Sequence, residues 1–145
     1  GPRHWQAIEW YRWCPMNFSA DFAMMFTVIG NGNGGANASG MVFRDGIYDL
    51  VTECTLDSDW DENDYQTAMR ATVKTEGGKS YEVTGKVRSL IPLRNRRRTP
   101  DGVELLTRLT EGMTEYECNG LKGYGMSEYL DQIVDGKAVG RELGY

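Results

Sequence analysis

Residues 105–133 constrain the fold of this chain more than any other stretch. They read LLTRLTEGMTEYECNGLKGYGMSEYLDQI, two alternating segments around Asn119-Gly120. Asn-Gly supplies the positive φ that a tight hairpin turn needs, so the pair reads as two antiparallel strands. In period two, Tyr124, Met126, Glu128 and Leu130 share one face of the second strand. Gly125, Ser127, Tyr129 and Asp131 share the other. In the first strand Leu105, Leu109 and Met113 are in phase with Glu111. The apolar phase is expected to face the core. Two carboxylates, Glu111 and Glu128, would then lie among apolar neighbours, which is costly unless they are paired or used.

The same grammar runs through the rest of the chain. Eight alternating segments are expected, near 4–14, 18–30, 38–44, 47–54, 67–76, 80–90, 105–117 and 122–133. Arg44-Asp45-Gly46 and Glu76-Gly77-Gly78-Lys79 mark turns, and the Gly/Asn run at 30–35 marks a hairpin loop. Asp61–Ala68 is read as a short helical turn, and Pro92–Gly102 as a charged loop. Phe18, Phe22, Met24, Phe26 and Val28 form one inward set. Met69, Ala71 and Val73 form a second, and Tyr81, Val83 and Val87 a third. Short links between successive strands imply antiparallel neighbours, and a meander of eight leaves two bare edges unless it closes. The expectation is an all-β, lipocalin-like antiparallel eight-stranded barrel, one domain over 1–145, with a β-sandwich as the alternative.

Composition narrows the function. A net charge of −5 with 40% hydrophobic residues fits a globular protein and argues against nucleic acid as partner. Arg94-Asn95-Arg96-Arg97-Arg98 is the local exception and reads as a solvated loop. Cys14, Cys54 and Cys118 are widely spaced and fit small core residues in a reducing, cytoplasmic setting. No apolar run approaches the ~20 residues of a membrane span. A lone histidine, His4, leaves no His-rich metal site, and no metal or other cofactor is expected. The acidic run Asp57, Asp59, Asp61, Glu62 and Asp64 lacks the spacing of a calcium loop. Trp10 and Ile8 alternate with Trp5, Tyr11 and Trp13, so aromatic residues occupy both faces of the first strand. Such a strand is expected to bury one face in the core and the other against a partner domain.

GPRHW at the start, WQAIEWYRW, GMVFRDGIYDLV and TEGMTEYECNGLKGYGMSEYLDQI together resemble a known group. It is the two-domain lipocalin-like family related to AttH and to carotenoid 1,2-hydratase (hydroxyneurosporene synthase). The resemblance implies the C-terminal half of a longer protein whose N-terminal lipocalin-like domain is missing here. It further implies a bulky apolar ligand, such as a terpenoid, steroid or lipid-like compound, and cofactor-independent hydratase- or cyclase-like chemistry. Members often carry Asp where this chain has His4.

Hydration needs an acid to protonate an alkene and surroundings that stabilise the cation. Glu128 and His4 are the candidate catalytic residues. Tyr124, Met126, Tyr129, Trp5, Trp13, Glu111 and Arg70 are the candidate ligand-binding residues. The competing expectation is a non-catalytic ligand-binding or structural domain, with Glu128 tied to an arginine such as Arg3, Arg12 or Arg70.

Overall fold

A computed structural model describes residues 8–145. His4 and Trp5, both candidate site residues, and Arg3 lie outside the described residues. Eight long strands follow one another in chain order. They are β1 (Trp10–Ser19), β2 (Phe22–Gly30), β3 (Ala36–Arg44), β4 (Ile47–Trp60), β5 (Gln66–Thr75), β6 (Ser80–Arg98), β7 (Glu104–Cys118) and β8 (Leu121–Val134). A two-residue β9 (Lys137–Ala138) and a single helical turn, α1 (Val139–Glu142), complete the chain. Every strand is antiparallel to the next, and β1 also pairs with β8. The sheet therefore closes on itself. This is the lipocalin-like eight-stranded barrel expected from the turns, and closure rules out the sandwich.

The turn chemistry is as the sequence reads. Asp45-Gly46 and Asn119-Gly120 each place both residues at positive φ, which matches a two-residue type I′ hairpin. The segment 61–65 is a turn stabilised by the Asp61 side chain, which accepts from the backbone N–H groups of Asn63 and Tyr65. Competition from that side chain is why no helix forms there.

Pro92–Arg98 is not a loop. It continues β6, paired residue for residue with β7 from Pro92↔Thr110 to Arg98↔Glu104. β5 pairs with β6 only up to Lys86, so beyond that point β6 is an open edge. Proline is tolerated there because the missing N–H faces no neighbouring strand. Arg88 sits in a bulge between Val87 and Ser89, and the bulge shifts the phase of the strand. Before it, Tyr81, Val83 and Gly85 point inward; after it, Ser89, Ile91 and Leu93 lie on the outer face opposite Met113, Glu111 and Leu109.

The barrel interior is filled. Met16, Phe22, Met24, Phe26, Val28, Val42, Met69 and Val73 pack one half of it. The inward sets expected for β2, β5 and β6 are therefore as read. The other half is polar and largely hydrogen-bonded, with Trp10 Nε1 and Arg12 Nε the buried atoms that meet no partner among the described residues. Thr110 Oγ donates to Gln66 Oε1 at 2.8 Å, Gln66 Nε2 donates to the Ser127 carbonyl at 3.2 Å, and Thr114 and Ser127 share a hydrogen bond of 3.0 Å. Towards the end of the barrel near the C-terminal turn, Arg12 and Asp131 form a fully buried bidentate pair at 3.0 and 3.1 Å. Arg12 also lies 4.3 Å from the Tyr129 ring centroid and donates to the Tyr145 carbonyl at 2.8 Å. The Gly140 N–H donates to Asp131 at 2.8 Å, and the Tyr145 ring stacks on Trp10 at 4.4 Å. The C-terminal turn thus seals this end of the barrel.

Cys14 and Cys118 are buried and Cys54 is half-buried, all three as free thiols. Burial pushes the Cys14 and Cys54 thiols up to about 12, so both are held as inert core groups. No helix among the described residues is long and apolar enough to cross a membrane.

Candidate functional site

The outer face of β6, β7, β8 and β1 carries the apolar residues that alternation assigned to the core. In β8 the inward residues are Gly123, Ser127, Tyr129 and Asp131, while Tyr124, Met126 and Glu128 face outward. In β7 the inward residues are Arg108, Thr110, Gly112, Thr114 and Tyr116, and Leu109, Glu111 and Met113 face outward. The expectation for these two strands is thus inverted. The physical reason is volume. Trp10, Arg12, Tyr116 and Tyr129 are among the largest fully buried side chains, the last two on β7 and β8 themselves, and between them the inward positions of these strands are filled by smaller residues such as Thr110, Gly112, Thr114 and Ser127.

Register makes the outer face legible as rows around the barrel. One row runs Leu93, Leu109, Leu130, Tyr11, and the next runs Ile91, Glu111, Glu128, Trp13. Glu111 and Glu128 are direct cross-strand partners, with Ile91 on one side and Trp13 on the other. No bulge interrupts β7 at Gly112. Tyr11 lies in the adjoining row and donates its phenol proton to Glu128 Oε2 at 2.5 Å. Burial and that hydrogen bond hold the Tyr11 phenol well above its ordinary range, so it remains a donor.

Glu111 is the unusual member. Its Oε2 is buried and meets no donor. A proton on that carboxyl resolves the deficit, because protonated Glu111 can donate to its neighbour. Burial first, and then the hydrogen bond and charge of Glu128, raise the Glu111 carboxyl to about 7. Two facing carboxyls that cannot both ionise cheaply share a proton near neutral pH.

Above this pair the same face forms a cleft of about 180 Å³. Leu93, Leu105, Leu109 and Leu130 make its floor; Asn95, Thr107 and Gln132 form a polar row towards the hairpin tip; Arg94 and Arg97 line it as well.

The other candidate residues fall elsewhere. Tyr129 is inside the barrel, hydrogen-bonded to Ser58 at 2.7 Å and edge-on to Trp60. Arg70 is on the outer surface of β5, where Asp57 and Asp59 hold it at 2.7 and 2.9 Å. Two members of the acidic run are thereby accounted for, and neither Arg70 nor Tyr129 contributes to the face that bears Glu128. Tyr124 is 64% exposed and lies one row beyond Met126, towards the opposite end of the barrel from the cleft. Met126 and Trp13 are half-buried and flank the carboxyl pair. Among the described residues Glu128 is tied to Tyr11 and to no arginine, since Arg12 is committed to Asp131 and Arg70 to Asp57 and Asp59.

Among the described residues no three His, Cys, Asp or Glu side chains group to hold a metal ion. Sequence reasoning missed Tyr11 as a partner of Glu128, and it missed the leucine cleft. The signal for the cleft was there: Ile91, Leu93 and Asn95 alternate, but Pro92 and the arginines disguised a strand as a loop.

The molecule is therefore an all-β, lipocalin-like barrel with a filled interior and an acid pair on an apolar outer face. The chain belongs to a family described as a domain of unknown function, DUF7064, whose model matches residues 1–133. No curated protein and no solved structure matches it.

Proposed function

We propose that this domain binds an apolar small molecule on the outside of its barrel. The site is the leucine cleft beside Glu111 and Glu128, and the domain acts as one half of a two-barrel protein whose other half covers this face. One observation carries the reading: the interior is packed with side chains, whereas Leu93, Leu109, Leu130, Tyr11 and Trp13 surround a proton-sharing acid pair on the outside. An acid held protonated near neutral pH beside aromatic and aliphatic surface suits the hydratase- or cyclase-like chemistry implied by the resemblance to the AttH and carotenoid 1,2-hydratase group. In that chemistry the Glu111 proton passes to an alkene carbon, leaving a carbocation. Water adds to the cation, and the proton it releases returns to the carboxylate.

The test is titration of the protein with a panel of terpenoids, steroids and long-chain lipids, followed by tryptophan fluorescence, with Leu109→Arg beside the wild type. Saturable micromolar binding lost in Leu109→Arg supports an outer site. Binding that survives this substitution, or no binding by a well-folded sample, defeats it.

A second reading is a purely structural face that packs against another barrel. Its support is breadth, because the apolar surface continues past the acid pair to Met113 and Met25, 42% and 41% exposed. On that reading, Trp13→Arg alters association with the partner barrel and no small molecule binds.

A further inference from the structure

At the barrel end that the C-terminal turn seals, the buried charges do not balance. Among the described residues the charged side chains buried in the barrel are Arg12, Arg108 and Asp131, two cations against one anion. Arg12 pairs with Asp131, whereas Arg108, the cross-strand partner of Asp131, donates to the neutral Asp64 carbonyl at 2.7 Å. The Asp64 carboxylate itself is turned to Arg141 at 3.4 Å. A buried arginine keeps its proton, so this end carries an excess of positive charge.

The Arg12 guanidinium is only partly occupied. Asp131 takes its Nη1 and Nη2 end, at 3.0 and 3.1 Å. The second Nη2 hydrogen goes to the Tyr145 carbonyl at 2.8 Å. The Nε–H, on that same edge of the plane, meets no acceptor among the described residues although the side chain is fully buried. This edge is a fork for two oxygens, and one carbonyl fills half of it. Trp10 stacks on the Tyr145 ring at 4.4 Å, and its Nε1 is likewise buried without a partner.

The segment that covers the fork is not part of the barrel wall. Residues 139–145 follow the Asp135-Gly136 turn and β9, and pair with no strand. Their backbone hydrogen bonds are mainly internal, from Leu143 to Val139, Gly144 to Arg141 and Tyr145 to Gly140. Their polar links to the barrel are the Gly140–Asp131 and Arg12–Tyr145 hydrogen bonds and the Arg141–Asp64 ion pair. Releasing them leaves the eight-stranded ladder whole, and a segment held by so few links opens at less than the cost of global unfolding.

We propose that this barrel end is a binding site for an aromatic carboxylate, and that residues 139–145 are its displaceable internal occupant. The ligand's ring takes the place of the Tyr145 ring on Trp10. Its two oxygens take the Nη2 and Nε edge of Arg12, and its charge offsets that of Arg108. The site lies at the end of the barrel, apart from the outer cleft, and stands whether or not that cleft binds.

Hydrocinnamate is the probe, because it has the ring-to-carbonyl spacing of a tyrosine residue and adds a second oxygen. Calorimetric titration of the intact chain should show saturable binding, at least about tenfold tighter in Tyr145→Ala, where no ring competes. Hydrocinnamamide, with one acceptor oxygen and no charge, should bind at least about tenfold more weakly than hydrocinnamate. Arg141→Gln loosens the segment at its link to Asp64 and leaves Trp10 and Arg12 in place, so it should also tighten binding, and it decides the matter if Tyr145→Ala fails to fold. Amide exchange should show Gly140 and Tyr145 losing protection as hydrocinnamate saturates the wild type, while β1 and β8 keep theirs. Leu109→Arg, on the outer face, should leave this binding unchanged. Equal affinity of wild type and the variants, equal affinity for acid and amide, unchanged protection of Gly140 and Tyr145 at saturation, loss of binding in Leu109→Arg, or no binding by any folded form overturns the inference.

Discussion

Glu111 and Glu128 face each other across β7 and β8 on the outer wall of the barrel, and among the described residues only Glu128 has a donor from another strand. The pair therefore ties stability to pH. Glu111 is raised from its ordinary carboxyl value to about 7 by burial and by Glu128. Between the ordinary value and 7, the folded state holds a proton that the unfolded state has released, so stability falls as pH rises through this window. Below it the contribution is fully present, and above 7 the loss is complete. Glu111→Gln mimics the protonated form. It should raise stability at pH 8 by on the order of 1 kcal/mol, a figure discounted for the partial exposure of the site. It should also flatten the profile between pH 5 and 8. Thermal melts at pH 5, 6, 7 and 8 measure both, and an unchanged slope would show that the two carboxyls do not share a proton.

Tyr11 is the only described donor to this pair. Tyr11→Phe removes a hydrogen bond to a charged acceptor, and such bonds contribute roughly 1.5–3 kcal/mol. At a half-buried position the loss should sit at the lower end of that range. A double-mutant cycle of Tyr11→Phe with Glu111→Gln, read by urea denaturation, should give a coupling energy distinct from zero. Strict additivity would mean that Tyr11 and Glu111 act on Glu128 independently.

Inside the barrel, Arg12 and Asp131 are buried almost completely and rely on each other. Asp131→Asn strands the guanidinium and weakens acceptance from the Gly140 N–H, so it should cost about 3–5 kcal/mol. The matched replacement Arg12→Met/Asp131→Leu should recover a large part of that loss, because no charge is then buried unpaired. Denaturant midpoints of the single and double variants provide the comparison. Equal destabilisation by both would locate the loss in the contacts to Tyr145 and Gly140 instead.

Gly125 lets β8 approach β1 where Pro15 interrupts the ladder. A methyl group at residue 125 would run into the Pro15 carbonyl oxygen and crowd the Met16 Cα, both of them backbone atoms. Gly125→Ala should therefore open the seam of the barrel and lower the melting temperature by several degrees, on the scale of ~2–4 °C per kcal/mol for a domain near this size. Amide exchange should localise the damage to β1 and β8. Uniform loss of protection across all strands would count against a local seam.

The turns, the eight strands and their closure were legible because Asp-Gly and Asn-Gly pairs state their backbone geometry directly. So was the alignment of Glu111 with Glu128, since period two fixes which residues share a face. Which face is inner was not legible for β7 and β8. Alternation separates two faces but does not say which one meets the core. The usual rule, apolar side inward, fails where large residues from another strand, such as Trp10 and Arg12 of β1, already occupy the space. Thr110, Thr114 and Ser127 could turn inward only because Gln66, forty-four residues from Thr110 in sequence, satisfies part of their hydrogen bonding. No local pattern carries that information. The β6 extension was hidden for a related reason: an edge strand can afford Pro92 and a run of arginines, which also deter strand-to-strand aggregation.

Barrel closure by β1 and β8 has a consequence for the order of events during synthesis. Tyr11 and Glu128 are separated by 117 positions, and Arg12 and Asp131 by 119. The first strand emerges from the ribosome long before the strand that shields its second edge. Until then β1 can pair only with β2, and its aromatic outer residues and its interior arginine lie open to solvent. Topologies dominated by such distant pairings fold slowly, on the order of milliseconds to seconds. The final step should be a zipper-like joining of first strand to last, with the guanidinium–carboxylate pair locking only after residue 131 has arrived.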